Sequence, residues 1–197
     1  MLILGDLHGE IQIAEKLCQA NPLHTVVQLG DIGIGFEGVK NQIEKLPSNF
    51  RFFAGNHDNR FVEGMPPSYL GHFGEHVIDG QRVFVVSGAN SIDKSIRVEG
   101  RDWWVYEELS YIESKACLDA WESSSAEILI THDCPQFICE NYFLVYDRSS
   151  TRMLLNSMYD IRAPKQHFFG HWHREFQMTT QGTTFRCLNI NEYAEIN

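Results

Sequence analysis

The chain has 197 residues, of which 43% are hydrophobic, so it can build a sizeable core within the usual size of one domain. Its formal net charge of -10 at pH 7 should repel polyphosphate backbones, which makes extended nucleic acid a disfavoured partner. Five scattered cysteines without CxxC spacing, and no apolar run long enough to span a bilayer, predict a cytoplasmic protein with reduced thiols and no membrane segment. The composition indicates no particular oligomeric state.

The first part of the chain alternates predicted strands with predicted helices. Residues 2–4 (LIL) form a buried strand, and apolar residues at helical spacing follow Gly9. A second strand (25–29), a second helix (38–46) and a third strand (50–54) repeat this unit. Repeated strand and helix units predict an α/β layered domain with at least one parallel sheet.

A capping box begins the next predicted helix. Ser110 is followed three residues later by Glu113, the spacing at which the two side chains cap a helix N-terminus. Four residues are predicted to form the apolar side of this helix: Ile112, Ala116, Leu118 and Trp121.

Further strands are predicted at 82–89, 127–131 and 167–169, with a helix over 149–161. The tail predicts a hairpin that turns near Gln181 and Gly182 and adds antiparallel strands. We expect residues 1–197 to form a single domain.

Five of the predicted strands end in carboxylate, amide or imidazole side chains, often beside glycines. In chain order these residues are Asp6 and His8, then Asp31, then Asn56, His57 and Asp58, then His132, and finally His171 and His173. Ligands of open α/β sheets bind outside the carboxyl ends of the strands, so these side chains should meet in one crevice.

The donor types in this group predict a metal centre. Mixed oxygen and nitrogen ligands suit Mn, Fe, Zn, Ni or Co rather than Ca or Mg. The candidate ligands outnumber the tetrahedral set of a closed structural zinc site, which predicts two ions that share a carboxylate. They are Asp6, His8, Asp31, Asn56, His132, His171 and His173. The other histidines, His24, His72, His76 and His167, are predicted to be structural or solvent-facing.

A glycine-rich segment offers a competing interpretation. Residues 33–38 (GIGFEG) satisfy the dinucleotide pattern GxGxxG, with Asp58 as a candidate ribose contact. However, a lone GxGxxG is weakly diagnostic, and Asp31 separates the segment from its strand. The metal interpretation is therefore preferred over nicotinamide binding.

The ordered set GDLHG, GD, GNHD, a strand-end histidine and GHWH resembles the motifs of the calcineurin-like metallophosphoesterases. The segment 87–104 (SGANSIDKSIRVEGRDWW) resembles one found in small bacterial and phage members of this family. The matching motifs run from residue 6 to residue 173. The resemblance implies an α/β fold in which two mixed sheets form a sandwich flanked by helices, giving four layers in the order α/β/β/α. It implies two divalent ions, with Mn preferred. One ion would be held by Asp6, His8, Asp31 and His173, and the other by Asp31, Asn56, His132 and His171.

The resemblance also implies an activity, the hydrolysis of phosphate mono- or diesters by a metal-activated hydroxide. His57 would protonate the departing alkoxide and Asp58 would orient its imidazole. The substrate would be a small phosphoester, with nucleotides among the candidates. Cyclic-nucleotide phosphodiesterase or nuclease activity is one alternative. A non-catalytic metal-binding scaffold is another, although such a scaffold is expected to have lost ligands or His57, and none is missing.

The sequence departs from the protein serine/threonine phosphatases of this superfamily. That branch continues GD into Asp-Arg-Gly and carries Glu after GNH, whereas this chain has GDIGIG and GNHD. The branch's phosphate-binding arginine is therefore missing, which argues against protein phosphatase activity.

The segment 91–104, which follows a predicted strand, should lie near the crevice and could supply substrate contacts. Among its charged residues Asp93, Lys94 and Arg97, the arginine is the best candidate to bind phosphate, because a planar guanidinium matches two phosphate oxygens at once. A surface cluster of ion pairs is an equally favoured interpretation of these three residues. Asn56 is predicted to contact substrate as well as metal. Trp103 and Trp104 could stack on a ring of the substrate, but packing is the preferred role for them.

Overall fold

The strands fall into two sheets in a computed structural model that describes residues 1–196. The strands are β1 (Leu2–Leu4), β2 (Val26–Gln28), β3 (Phe50–Phe52), β4 (Phe73–Ile78), β5 (Gln81–Val86), β6 (Ile128–Thr131), β7 (Gln166–Phe169), β8 (Phe176–Thr180), β9 (Thr183–Cys187) and β10 (Tyr193–Glu195). The helices are α1 (Ile11–Ala20), α2 (Val39–Ile43), α3 (Tyr111–Ser123), α4 (Gln136–Ile138) and α5 (Ser150–Ile161). A 3₁₀ turn covers Lys94–Ile96, and a π-helical turn covers Cys139–Phe143.

Both sheets have a parallel centre and antiparallel edges. The first sheet has the order β10-β1-β2-β3, in which β1, β2 and β3 are parallel and β10 is antiparallel. The second has the order β4-β5-β6-β7-β9-β8, with β4 and β8 as antiparallel edges. Because β1 and β10 pair, the two ends of the described chain lie in one sheet. That residues 1–197 form a single domain stays a prediction, and Asn197 lies outside the described residues.

Strand alternation divides the apolar side chains between two faces of each sheet. In β1, Leu2 and Leu4 pack against α1 and α2, whereas Ile3 points between the sheets and packs with Val83 and Ile130 of the second sheet. Each such side chain, once fully buried, contributes about 1.5–3 kcal/mol of transfer free energy.

The outer face of the second sheet is covered in the same way by α3 and α5. Phe84 and Leu129 of the sheet pack against Trp121 of α3 and Leu155 of α5. The layers therefore follow the order α/β/β/α, and the predicted two-sheet sandwich flanked by helices is confirmed.

The predicted elements are present, with differences at particular positions. The capping box is confirmed, since Ser110 and Glu113 bond to each other's backbone amides. The predicted apolar side of α3 is wrong at Ile112 and Ala116, which are both exposed, because the buried stripe is formed by Cys117 and Trp121. The sequence analysis did not predict strands β4 and β10. Both are edge strands whose residues are largely half-exposed or exposed, so they lack the run of buried apolar residues that marks the other strands.

The five cysteines are all free and buried, as predicted for reduced structural thiols. Within residues 1–196, no helix is long and apolar enough to cross a membrane. Location in the cytoplasm stays a prediction.

Candidate active site

The predicted ligands meet where strands of the two sheets end. Asp6, Asp31 and Asn56 follow β1, β2 and β3 of the first sheet, while His132 and His171 follow β6 and β7 of the second. These residues lie together in one crevice, as predicted, and the crevice is formed by the carboxyl ends of strands from both sheets.

The backbone at several of these residues has an unusual conformation. Positive φ angles occur at His8 (45°), Asp31 (56°), His171 (68°) and His173 (48°), a region that side chains with a Cβ seldom adopt. Each such residue costs of order 1–3 kcal/mol, and strain of this kind concentrates at functional sites. The fold holds these side chains in the crevice against their local preference.

The first group of ligands is close enough to share one cation. Ligand atoms of Asp6, His8, Asp31 and His173 all lie within 4.8 Å of one another. Nε2 of His173 is 3.1 Å from Nε2 of His8 and 3.1 Å from Oδ2 of Asp6. Two donors about 2.1 Å from one ion at right angles are about 3 Å apart, so this donor set fits a divalent cation.

The second group is organised around His132. Its Nε2 atom lies 2.9 Å from Asn56 Oδ1 and 3.3 Å from Asp31 Oδ1, and its ring centroid is 5.2 Å from that of His171. Its Nδ1 atom donates to the Leu29 carbonyl at 2.7 Å, which leaves Nε2 as the atom that can bind a metal.

Two buried atoms of the candidate ligands lack a hydrogen-bond partner among the described residues. They are Asp31 Oδ2 and His171 Nε2. Buried polar atoms normally have a partner, so these two also fit a cation at this place.

Burial and the nearby carboxylates shift the pKa values of the four imidazoles in opposite directions. Burial by itself lowers the pKa of His132, but the adjacent Asp31 carboxylate raises it to about 10. Burial lowers the pKa values of His8 and His171, which favours the neutral imidazole that binds metals. The Asp6 carboxylate raises the pKa of His173 through a hydrogen bond.

Two glycines let the backbone approach the ligand carboxylates. A Cβ at Gly55 would overlap Asp31 Oδ1, and a Cβ at Gly170 would overlap Asp6 Oδ1. Any other residue at these positions would displace a candidate ligand.

The predicted contact between Asp58 and the His57 ring is wrong. No hydrogen bond joins these two side chains, both of which lie in the described range. Instead, Nδ1 of His57 lies 3.1 Å from the carbonyl oxygen of Asp102, to which it donates, and its backbone amide donates to Asp31 Oδ1 at 2.8 Å. The partner that orients His57 is therefore a backbone carbonyl on a distant loop.

The Asp58 carboxylate accepts hydrogen bonds from backbone amides instead. It accepts from the amides of Gly33 at 2.7 Å, Ile34 at 3.0 Å and Gly55 at 2.8 Å. Burial, together with the nearby Asp31, raises its pKa to about 6. Because Asp58 already occupies the amides of the glycine-rich segment, that segment does not present them to a dinucleotide.

A pocket of about 360 Å³ opens beside the cluster. Asp31, Asn56, His57 and Arg97 line it, while contact of Asn56 and Arg97 with a substrate stays a prediction. Arg97 also bonds Asp93 through Nε at 2.8 Å. Trp104 is buried and stacks on Phe36 with ring centroids 6.3 Å apart, as expected for a packing residue.

The sequence analysis missed part of the pocket wall. Phe143 and Trp172 stack there with ring centroids 4.4 Å apart, and the guanidinium of Arg174 lies 5.1 Å from the Phe143 ring. Arg174 has no ion pair or hydrogen bond with any residue from 1 to 196. Its position directly after GHWH was the available signal, whereas nothing local singled out Phe143.

Comparisons with known proteins identify the family of this chain. The family model "Calcineurin-like phosphoesterase" matches residues 1–175. Among similar solved structures, an archaeal phosphodiesterase is 15% identical with a TM-score of 0.47, covering 100% of this chain and 99% of that chain. A phosphopantetheinyl hydrolase from Mycobacterium tuberculosis is 11% identical with a TM-score of 0.48, covering 96% of this chain and 89% of that chain. A predicted phosphoesterase from Streptococcus pneumoniae is 11% identical with a TM-score of 0.43, covering 96% and 72%.

Such low identities carry no information about the substrate, and no curated protein matches the sequence. The family match spans all the strand-end motifs that converge on the candidate metal centre. The chain therefore belongs to the calcineurin-like phosphoesterase family and is a metal-dependent phosphoester hydrolase.

Proposed function

We propose that this enzyme hydrolyses small phosphate mono- or diesters with two divalent transition-metal ions, Mn preferred and Fe, Zn, Ni or Co as other candidates. The observation that carries the proposal is the position of Asp31. One of its oxygens is 3.3 Å from Nε2 of His132, and the carboxylate also belongs to the cluster with Asp6, His8 and His173. A carboxylate that bridges two metal ions must lie within reach of both groups of ligands, and Asp31 does.

The seven candidate ligands divide into two sets around this bridge. Asp6, His8 and His173 form one set, and Asn56, His132 and His171 form the other. When bound, such ions supply a hydroxide nucleophile at neutral pH and neutralise charge on the phosphoryl oxygens.

His57 is suited to donate a proton to the leaving alkoxide. Because Nδ1–H is held by the Asp102 carbonyl, Nε2 is the atom that can carry a transferable proton. The bond from its backbone amide to Asp31 ties this donor to the metal cluster.

Two arginines in the pocket wall can bind the anionic substrate. Arg97 and Arg174 both line the pocket with Asn56, and the guanidinium of Arg174 is not neutralised by any described carboxylate. Guanidinium groups bind phosphate oxygens in pairs, so these residues would hold the ester next to the metals.

The alternatives rest on weaker observations. The net charge of -10 disfavours long nucleic acids as substrates, while cyclic nucleotides remain candidates as small phosphodiesters. A non-catalytic scaffold has no need of His57, yet this residue lines the same pocket as the metal cluster.

The test is metal-dependent hydrolysis. The purified protein, loaded in turn with Mn, Fe, Zn, Ni, Co or Mg, is assayed with p-nitrophenyl phosphate, bis-p-nitrophenyl phosphate and cyclic nucleotides, while bound metal is counted by elemental analysis. We expect two ions per chain and hydrolysis with Mn. His171→Gln should lose activity, and the matched control His24→Gln, at a half-exposed histidine outside the pocket, should keep it. No hydrolysis of any ester by protein carrying two ions would refute the proposal.

A further inference from the structure

A buried carboxylate outside the predicted site lies behind Asn56. Glu107 is 2% exposed and belongs to the loop between β5 and α3. Its Oε1 accepts from Ser91 N at 3.1 Å and from Lys94 Nζ at 2.7 Å, and its Oε2 accepts from Ser91 Oγ at 2.5 Å and from Trp103 Nε1 at 2.7 Å. Each oxygen of this side chain thus receives two donors, so the Glu107 side chain acts as a hydrogen-bond acceptor only.

The hydroxyl of Ser91 connects this carboxylate to Asn56. Ser91 has one hydroxyl hydrogen, and it must go to Glu107 because the carboxylate has no hydrogen to give. Ser91 Oγ can then only accept from Asn56, whose nearer atom at 2.9 Å is therefore the amide nitrogen Nδ2. The direction of both hydrogen bonds follows from the acceptor role of the Glu107 oxygens.

This direction determines which atom of Asn56 faces the metal cluster. With Nδ2 held by Ser91, Oδ1 lies on the other side, 2.9 Å from Nε2 of His132. Only the oxygen of an amide side chain binds a cation, and a rotated amide would present its NH₂ group instead.

We propose that Glu107, acting through Ser91, is a positioning residue that holds the Asn56 amide with its oxygen toward the second metal ion. This inference rests on the proposed dinuclear site. Ser91 and Glu107 lie on either side of Arg97 in the sequence. The same loop would therefore both supply Arg97 to the pocket and orient the Asn56 amide. The residues behind a metal ligand commonly influence affinity by about 10- to 100-fold.

Two substitutions break the series of hydrogen bonds from Glu107 through Ser91 to Asn56 at different points. Ser91→Ala removes the hydroxyl. Glu107→Gln keeps the shape of the side chain but puts an NH₂ group against a donor, whichever way the amide turns. In both variants we expect one of the two Mn ions to bind about 10- to 100-fold more weakly, while the other keeps its affinity.

The measurement is metal retention and needs no turnover. Each variant is loaded with Mn and dialysed against a graded chelator, and bound Mn per chain is counted by elemental analysis. The melting temperature, measured in parallel, establishes that each variant is folded. If one substitution prevents folding, the other decides the result.

Trp103→Phe is the matched control. It removes another donor from the same Glu107 oxygen but leaves the link to Asn56, so both ions should be retained as in the wild type. Unchanged affinity of both ions in Ser91→Ala and Glu107→Gln overturns the inference, as does equal loss in Trp103→Phe, which would make the effect one of loop packing. Fewer than two ions in the wild type would instead overturn the dinuclear proposal on which the inference rests.

Discussion

Oδ1 of Asp31 lies 3.3 Å from Nε2 of His132, and Oδ2 of the same carboxylate is buried with no hydrogen-bond partner among residues 1–196. Although burial favours protonation of Asp31, its neighbour His132 holds the pKa of the carboxyl well below the usual range. Asp31 is therefore a carboxylate at neutral pH and has one oxygen free for a second contact.

Asp31→Asn should consequently be the most damaging change of a single ligand. The amide keeps the shape but removes the negative charge that both ions would share, so we expect loss of both ions and of measurable hydrolysis. Bound Mn per chain and kcat are compared with those of Asp6→Asn, which should affect mainly one ion. Retention of two ions in Asp31→Asn would show that the bridge is assigned to the wrong residue.

His57→Ala should separate catalysis from metal binding. If His57 is the general acid, the variant keeps both ions but loses roughly 10²- to 10⁴-fold in kcat. The loss should be smaller with p-nitrophenyl esters, whose leaving group departs without a proton, than with an alkyl or nucleoside ester. Equal losses on both classes of substrate, or loss of metal, would make His57 a structural residue or a ligand.

Arg174→Ala should weaken substrate binding. A charge-assisted hydrogen bond to phosphate contributes about 1.5–3 kcal/mol, so kcat/KM should fall by about 10- to 200-fold, mostly through KM. The control is Arg148→Ala, which removes an exposed arginine that does not line the pocket. If the two variants have the same kinetics, Arg174 is only a solvated surface residue.

The ion pair between Arg60 and Glu113 should stabilise the fold in a pH-dependent way. Arg60 is buried, and its guanidinium donates to both Glu113 oxygens, at 2.8 and 3.0 Å. Glu113→Gln leaves this buried charge incompletely paired and should lower the free energy of unfolding at pH 7 by about 1–3 kcal/mol. Glu122→Gln, at an exposed position of the same helix, should change it little.

The pH dependence follows from the direction of the shift. Hydrogen bonds from Arg60 hold the pKa of Glu113 well below its usual value. The stabilisation is fully present above the unfolded-state pKa of about 4.3 and is lost as the pH falls below it. Urea unfolding of both proteins at pH 7 and pH 3 should therefore show a smaller difference at pH 3. A difference that grows on acidification would contradict this assignment.

The sequence by itself was sufficient to predict the layered α/β architecture and the types of ligand. Strand alternation, helical spacing and the glycine-flanked motifs are local signals, because each can be recognised from a short stretch of sequence. Asp6, Asp31, Asn56, His132 and His171 could be identified because each comes within a few residues of the end of a recognisable buried strand.

The roles of neighbouring polar residues were decided only by the tertiary structure. Asp58 adjoins His57 in sequence but bonds the backbone of the glycine-rich segment, whereas the Asp102 carbonyl, on a distant loop, orients the histidine. Glu107 and Phe143 lie at the site for the same kind of reason. These contacts depend on how the two sheets stack and where the long loops cross the strand ends, and the short-range periodicity of a sequence does not encode such distances.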